Sequence, residues 1–377
     1  MNARWLPIIA AAAFAAAAAP AAAMPNFAQS YGLDCKACHT EVPALNAYGR
    51  YVQRTQYAAL DPATVNKAVP IWVGESATYD SSAGPPYKTE FGNLELHADG
   101  FAGNDVTFHI QQWLVQGGQP GGLDTAWFSY NNLLDGKGHI VLGKMPAPSP
   151  SFFGFFSDLS PFGPAGAAIG EHGLTLDSNL WGAKFAYTPL NYVAEIGWYG
   201  SGADLNGLTD FAPPNGRSVQ WRAAYANPKK PFEAGFYGSF GRYPLSTGNL
   251  DPYSQVGIYA QRDPVGDVPG ILALYQVGND GDAGLDGNGN PLGAAHSSGY
   301  SVGLYRPIFK HWENMLSVRA EGLSDGLGNV THGGNIDYSF RIYKYLHAFV
   351  EAGLAQNSTP AWRYQLWWTT PVVYKTH

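Results

Sequence analysis

Ile336-Asp337-Tyr338-Ser339-Phe340-Arg341-Ile342 alternates without a break, apolar or aromatic at the even positions and charged or hydroxylated at the odd ones. A strand turns successive side chains to opposite faces, so this stretch predicts a ribbon with one oily face and one polar face. The period recurs in Leu346, Ala348, Val350, Ala352 and Leu354 against His347, Phe349, Glu351, Gly353 and Ala355. Leu316, Val318 and Ala320 alternate with Ser317, Arg319 and Glu321, and Phe232, Ala234, Phe236 and Phe240 with Glu233, Tyr237 and Ser239. From Ile71 onward the chain repeats roughly seven to twelve alternating residues followed by a Gly, Pro, Asn or Asp turn.

Composition agrees with strands. Tyr 23, Phe 19, Trp 11 and Gly 46 among 377 residues, with only 14% charged, is a mixture of strand formers and turn formers. The net charge is -7, and no basic block interleaves with aromatics, which argues against nucleic acid as a partner.

Alternation alone does not separate a soluble sandwich from a barrel. Many segments are long enough to cross a bilayer as tilted strands of about 9 to 11 residues. Aromatics such as Tyr338, Tyr343, Tyr345, Trp367 and Trp368 stand near strand ends, where an interfacial girdle would place them. After the first 23 residues there is no apolar run of about 18 residues, so a spanning helix is not available. Closing the sheet removes its edges, which lets strands cross lipid. The reading is an all-β fold: a transmembrane antiparallel β-barrel of about 16 strands over residues 67–377, behind a short helical segment.

Residues 1–23 read as a signal peptide, with Arg4 as the charge, an apolar stretch over 5–19, and Ala21-Ala22-Ala23 as the cleavage site. A single membrane-anchoring helix is the alternative, and Pro20 with the alanine cluster favours cleavage. Either way the chain is expected to leave the cytoplasm.

Residues 24–66 hold both cysteines of the chain, in Cys35-Lys36-Ala37-Cys38-His39. Covalent haem attachment needs two thiols that reach the two vinyl groups of one porphyrin and an imidazole that approaches the iron from the same side. Cys-x-x-Cys-His on a helical turn supplies all three. A zinc site would need more ligands at matching spacing, and a thioredoxin-like pair would sit in a strand-helix-strand unit that the surrounding residues do not resemble. The expectation is one covalent haem c on Cys35 and Cys38, with His39 on the iron. So short a segment cannot bury a macrocycle and close its own core, so the barrel is expected to cover it.

A haem that only moves electrons normally has a second axial ligand. By parity His97, His109, His347, Met145 and Met315 all face the polar side of their strands, and Met145 or His97 is the expected ligand. Two long connections break the rhythm. One, spanning residues 145–175, carries Phe152-Phe153-Gly154-Phe155-Phe156 and is expected to pack on the barrel rim. The other places Asp280, Asp282, Asp286, Asn288 and Asn290 among glycines, but lacks the terminal bidentate glutamate of a calcium loop; it reads as a flexible acidic loop with a weak attraction for cations.

Pro25-Asn26-Phe27-Ala28, Tyr31-Gly32-Leu33, Cys35 to His39, Pro43-Ala44-Leu45-Asn46 and Tyr48-Gly49-Arg50 together resemble the haem segment of the fused monohaem cytochrome-porin family of bacterial outer membranes. That family includes iron-oxidising cytochromes. The resemblance covers about 30 residues at motif level. It implies a haem plug at a barrel in the outer membrane, in contact with its lipid. It implies electron transfer from an extracellular donor such as Fe(II) to a periplasmic cytochrome, and an iron oxidase if the likeness extends to activity. The competing expectation is a diffusion porin in which the haem segment is a structural or regulatory plug.

Overall fold

The computed structural model describes residues 25–42, 44–82, 89–116, 119–148, 150, 179–200, 217–245, 249–286, 288–308, 311–343, 346–355 and 359–371. The expected leader and the Phe152–Phe156 aromatics lie outside the described residues.

Sixteen long strands among the described residues close into one barrel. They are β1 (Ile71–Asp80), β2 (Thr89–Phe101), β3 (Val106–Gln116), β4 (Leu123–Leu133), β5 (Gly138–Pro146), β6 (Asn179–Tyr187), β7 (Tyr192–Gly200) and β8 (Arg217–Ala226). The second half is β9 (Phe232–Pro244), β10 (Leu250–Arg262), β11 (Gly270–Asp280), β12 (Ala295–Ile308), β13 (His311–Ser324), β14 (Val330–Tyr343), β15 (Leu346–Ala355) and β16 (Ala361–Pro371). Each pairs antiparallel with its chain neighbours, and β16 returns to β1 with Tyr364 opposite Tyr79 and Pro371 opposite Trp72. That last pairing leaves no open edge, the condition for placing a sheet in lipid.

The alternation in sequence becomes two surfaces. On β14 Ile336 is 52% exposed while its neighbour Asn335 is 4%. On β9 Phe236 is 59% exposed beside Tyr237 at 1%. The outward side carries Phe128, Leu142, Ile196, Ile258 and Leu304, and the inward side carries Lys184, Glu195, Arg222, Arg319 and Glu321. A water-soluble sheet has the reverse arrangement, so the outer band is a lipid-facing surface.

One aromatic departs from the expected girdle. Trp367 lies on the inward parity of β16, next to the exposed Leu366 and on the opposite face from it and Tyr364, and packs against the cluster of Cys35 and Val42. The lumen is filled at this point by the N-terminal segment, which gives an inward aromatic something to cover.

The two ends of the barrel differ. Connections 102–105, 134–137, 188–191, 227–231, 263–269, 309–310 and 344–345 are short, while the opposite end carries 147–178, 201–216 and 281–294. Outer-membrane barrels keep short turns on the periplasmic side and long loops outside.

The N-terminal segment forms α1 (Pro25–Tyr31), a 3-10 turn (Cys35–Ala37), a small hairpin (His39–Glu41 with Ala44–Leu45), α2 (Ala47–Arg54) and α3 (Pro62–Val65). Helices this short do not persist alone, so packing and caps hold them. Asp61 caps α3 by accepting from the backbone N–H of Ala63 and Thr64, and Ser30 Oγ donates to Val65 O at 2.9 Å to tie α1 to α3. The segment sits in the barrel at the short-turn end: Asn26 Nδ2 donates to Asp99 O at 3.0 Å, and Thr107 Oγ1 to Gln56 O at 2.7 Å.

Candidate functional site

The turn that carries the cysteines begins at Asp34, whose extended backbone (φ -85, ψ 154) and side chain, accepting from Lys36 N, form the cap. In a 3-10 turn residues i and i+3 eclipse, so Cys35 and Cys38 come to one side. Neither cysteine is in a disulfide. Burial, reinforced by the neighbouring Cys35, pushes the Cys38 thiol up from the ordinary 9.0 to about 11. Cys35 is 3% exposed and packs with Val42, Ala28 and Trp367.

The helical turn stops one residue sooner than the spacing suggests. It ends at Cys38, and His39 enters the small hairpin, where it is 8% exposed. Asn46 causes the stop. Its backbone N–H donates to Cys38 O at 2.9 Å, and its Nδ2 donates to Lys36 O at 3.0 Å and Ala37 O at 3.2 Å. The same side chain caps α2 by accepting from Gly49 N at 2.9 Å. One residue therefore fixes the angle between the cysteine turn and the helix behind it. The positioning role of Asn46 was not predicted, although Asn three residues before Gly49 is a readable helix-start signal.

Gly49 is required by close approach. A Cβ there would stand 2.0 Å from Cys38 O and 3.0 Å from Leu45 Cδ2. The backbone of α2 thus lies directly against the cysteine turn. Two thiols on one side of a turn, an adjacent imidazole and a buried setting fit covalent haem: Cys35 and Cys38 would hold the porphyrin, and His39 the iron.

Arg50 locks α2 into the barrel. Its Nη1 and Nη2 donate to Asp263 Oδ1 and Oδ2 at 2.8 and 3.2 Å, and its Nε donates to Glu233 Oε2 at 3.2 Å. Ala47 N also donates to Asp263 Oδ2 at 2.9 Å. Burial opposes the charge on Arg50, but Asp263 and then Glu233 outweigh it, so the guanidinium is held above its ordinary range. Glu233 in turn accepts from Tyr259 Oη at 2.7 Å and neighbours Arg222, which pairs with Glu195 at 2.9 Å. One turn later Arg54 Nη2 donates to Ala226 O at 2.8 Å and Leu190 O at 3.1 Å, and burial brings Arg54 down to about 10, still charged at neutral pH.

On the other side of α1, Phe27 begins a chain of rings. Its ring lies 5.1 Å from Tyr57, Tyr57 lies 5.5 Å from Trp127, Trp127 5.7 Å from His109, His109 6.0 Å from His97, and His97 stacks on Trp72 at 3.5 Å. Asp99 accepts from Trp72 Nε1 at 2.7 Å and is bonded to His109 Nδ1. Gln56 and Tyr57, at φ 52 and 68, are held in the left-handed region by this packing and by the Thr107 bond.

The expected second ligands both face the lumen. His97 is 4% exposed, with its Nε2 2.9 Å from Glu95 Oε2. Met145 is 1% exposed and belongs to the cluster of Phe27, Tyr57, Trp127 and Leu180. Another inward residue, His347, lies within electrostatic range of His39. In the acidic loop, Asp286 turns its carboxylate onto Asn288 N and Asn290 N, both at 2.8 Å. Among the described residues, groups of three or more His, Cys, Asp or Glu placed to hold a metal ion are absent.

Protein-family models and curated proteins give no match to this chain. Solved structures do. An anion-selective porin from Comamonas acidovorans is 13% identical, covering 80% of this chain and 98% of its own, with a TM-score of 0.55. A loop-deletion mutant of the outer-membrane protein OmpT from Vibrio cholerae has the same coverage and TM-score at 11% identity. OmpF of Salmonella typhi, solved with daunomycin, is 11% identical over 80% of this chain and 97% of its own, with a TM-score of 0.54. The likeness is one of fold. With the apolar outer band, it makes this chain a porin-like barrel of the bacterial outer membrane.

Proposed function

We propose that the chain is an outer-membrane electron-transfer protein, taking electrons from an extracellular donor such as ferrous iron and delivering them to a periplasmic cytochrome by way of one covalent c-type haem. The observation that carries this reading is the burial of Cys35 and His39, with Cys38 half-buried between them, inside a barrel at the short-turn end. A bound haem would supply a one-electron couple. The residues of the chain do the rest. Cys35 and Cys38 hold the group in place, Asn46 and Gly49 set the turn, and the barrel wall at Trp367 excludes water from it. Arg50 fixes the whole segment against Asp263 and Glu233.

Placement also supports the direction of transfer. The segment lies at the end with short turns, the periplasmic end of such barrels, where a soluble acceptor can approach. An extracellular donor would arrive from the long-loop end. Oxidation of ferrous iron needs no nucleophile or general acid, only approach to the electron acceptor. The resemblance to the fused cytochrome-porin family supports the same assignment.

The test is transfer across a membrane. Proteoliposomes holding the haem-loaded chain, with cytochrome c inside and ferrous iron outside, are expected to reduce the enclosed cytochrome. Liposomes with Cys35→Ser/Cys38→Ser protein are expected not to. Equal rates in both would overturn the proposal.

The fold likeness to an anion-selective porin favours a second reading, a diffusion porin with a structural plug. It calls for solute conductance in planar bilayers that is the same with and without haem.

A further inference from the structure

The chain has ten histidines, and one of them is brought to the cysteine turn from the far end of the sequence. His347 is the second residue of β15, at the short-turn end of the barrel where the N-terminal segment is lodged. It is 3% exposed, and its inward parity is shared with Glu351, at 4%. Across the strand pair His347 stands opposite Trp367, with ring centroids 6.2 Å apart. Trp367 is the same indole that packs against the cluster of Cys35 and Val42. The Cys35–Val42 cluster, Trp367 and His347 are therefore linked by consecutive contacts, and His347 lies within electrostatic range of His39.

We propose that His347 is the second axial ligand of the haem iron, opposite His39. The inference rests on the haem reading above and adds to it the side of the barrel that completes the site. An iron held by two neutral imidazoles needs one from each face of the porphyrin. His39 comes from the plug and His347 from the wall, so ligation would bridge the two parts of the molecule. The wall strand that supplies His347 is also held rigidly: β15 is paired on both sides, Arg341 opposite His347 on β14 and Trp367 on β16. A ligand on a paired strand keeps its orientation better than one on a loop.

Three other lumen residues compete. Met315, 5% exposed, lies on β13, the strand that the His39–Glu41 hairpin packs against. His97 is engaged in stacking on Trp72 at 3.5 Å, with Glu95 against its Nε2. Met145 is packed among Phe27, Tyr57 and Trp127. Among the described contacts, none of these three has the link through Trp367 to the Cys35–Val42 cluster that His347 has.

Absorbance and electron paramagnetic resonance of the purified ferric full-length protein test the assignment. The native chain is expected to be wholly low spin. His347→Ala is expected to become high spin at unchanged covalent haem content, and added imidazole is expected to restore the low-spin spectrum. His347→Met, the arm that guards against misfolding, is expected to remain low spin and gain the methionine-sulfur-to-iron absorption band. A low-spin His347→Ala overturns the proposal, as does a shift to high spin in Met315→Leu, Met145→Leu or His97→Phe with His347 intact. A native chain without covalent haem overturns the underlying haem reading instead, which separates the two failures.

Discussion

Arg50 and Asp263 lie 213 residues apart in sequence and form a two-pronged ion pair in the lumen, Nη1 to Oδ1 at 2.8 Å and Nη2 to Oδ2 at 3.2 Å. The planar guanidinium matches the carboxylate, and both side chains are at least nine-tenths buried. The pair therefore decides where the N-terminal segment rests. Removing one partner of a buried pair leaves the other charged and unsatisfied, at a cost of about 3–5 kcal/mol. Arg50→Ala is expected to loosen the plug without dissolving the barrel. Trypsin should then cut residues 24–66 in the folded, heat-modifiable protein, and bilayer conductance should rise. A plug as protected as in the native chain would contradict this.

Gly49→Ala tests the close approach of α2 to the cysteine turn. The added Cβ meets backbone at 2.0 Å, so the helix must move rather than a flexible side chain. Overpacking of this kind costs about 1–3 kcal/mol. Lower haem content per barrel is expected, measured by the pyridine haemochrome against protein concentration, with barrel folding unchanged.

Cys38 gives a pH dependence in protein made without haem attachment. Its thiol is raised to about 11, from burial first and Cys35 second. Only the thiolate reacts with iodoacetamide, so alkylation near neutral pH should be about a hundredfold slower than for an ordinary cysteine, two pKa units corresponding to that factor. The sign for stability follows. The folded plug binds this proton more tightly than the unfolded one, so its contribution is complete below pH 9.0 and is lost as the pH rises to about 11. Protease protection of the haem-free plug should fall across that window, and a flat profile would count against the buried placement of Cys38.

Ile336 tests the lipid face. It stands mid-strand on β14 and is 52% exposed. Arginine on the lipid side near the bilayer centre costs about 2–4 kcal/mol. Ile336→Arg should lower the urea midpoint of the barrel in bilayers. Equal midpoints for the variant and the native chain would mean that this face does not meet lipid.

His97→Phe keeps the ring stacked on Trp72 at 3.5 Å but removes the Nε2 that stands 2.9 Å from Glu95 Oε2. The buried Glu95 carboxylate is then left with Gln111 Nε2 alone, at a cost of about 1–3 kcal/mol. The melting temperature should fall, and an unchanged one would mean that the His97–Glu95 contact contributes nothing.

The barrel was legible in sequence because lipid on one side and a polar lumen on the other force a period of two. Ile336 and Phe236 on the outside, and Asn335 and Tyr237 on the inside, follow that period. The expected count of about sixteen strands rests on the same signal. The cysteine turn was legible because its chemistry is local. The arrangement around it was not, because parity gives a face but neither the height on the barrel nor the position around it. His97, Met145 and His347 share the inward face, and only closure of β16 on β1 and docking of the plug bring His347 within electrostatic range of His39. Trp367 reads as an interface aromatic for the same reason: the cluster it packs against, Cys35 and Val42, is more than 300 residues away in sequence, counting from 42 to 367. The Arg50–Asp263 pair is likewise invisible until the fold is closed.

The central claim is a haem tethered inside a lipid-facing barrel. Its most direct test is the intact mass and visible spectrum of the chain purified from outer membranes of cells with a working haem-attachment pathway. The expected result is a mass increased by one haem, with the increase lost in Cys35→Ala/Cys38→Ala protein that still folds as a barrel. A native chain at its bare polypeptide mass, with no haem spectrum, would contradict the account.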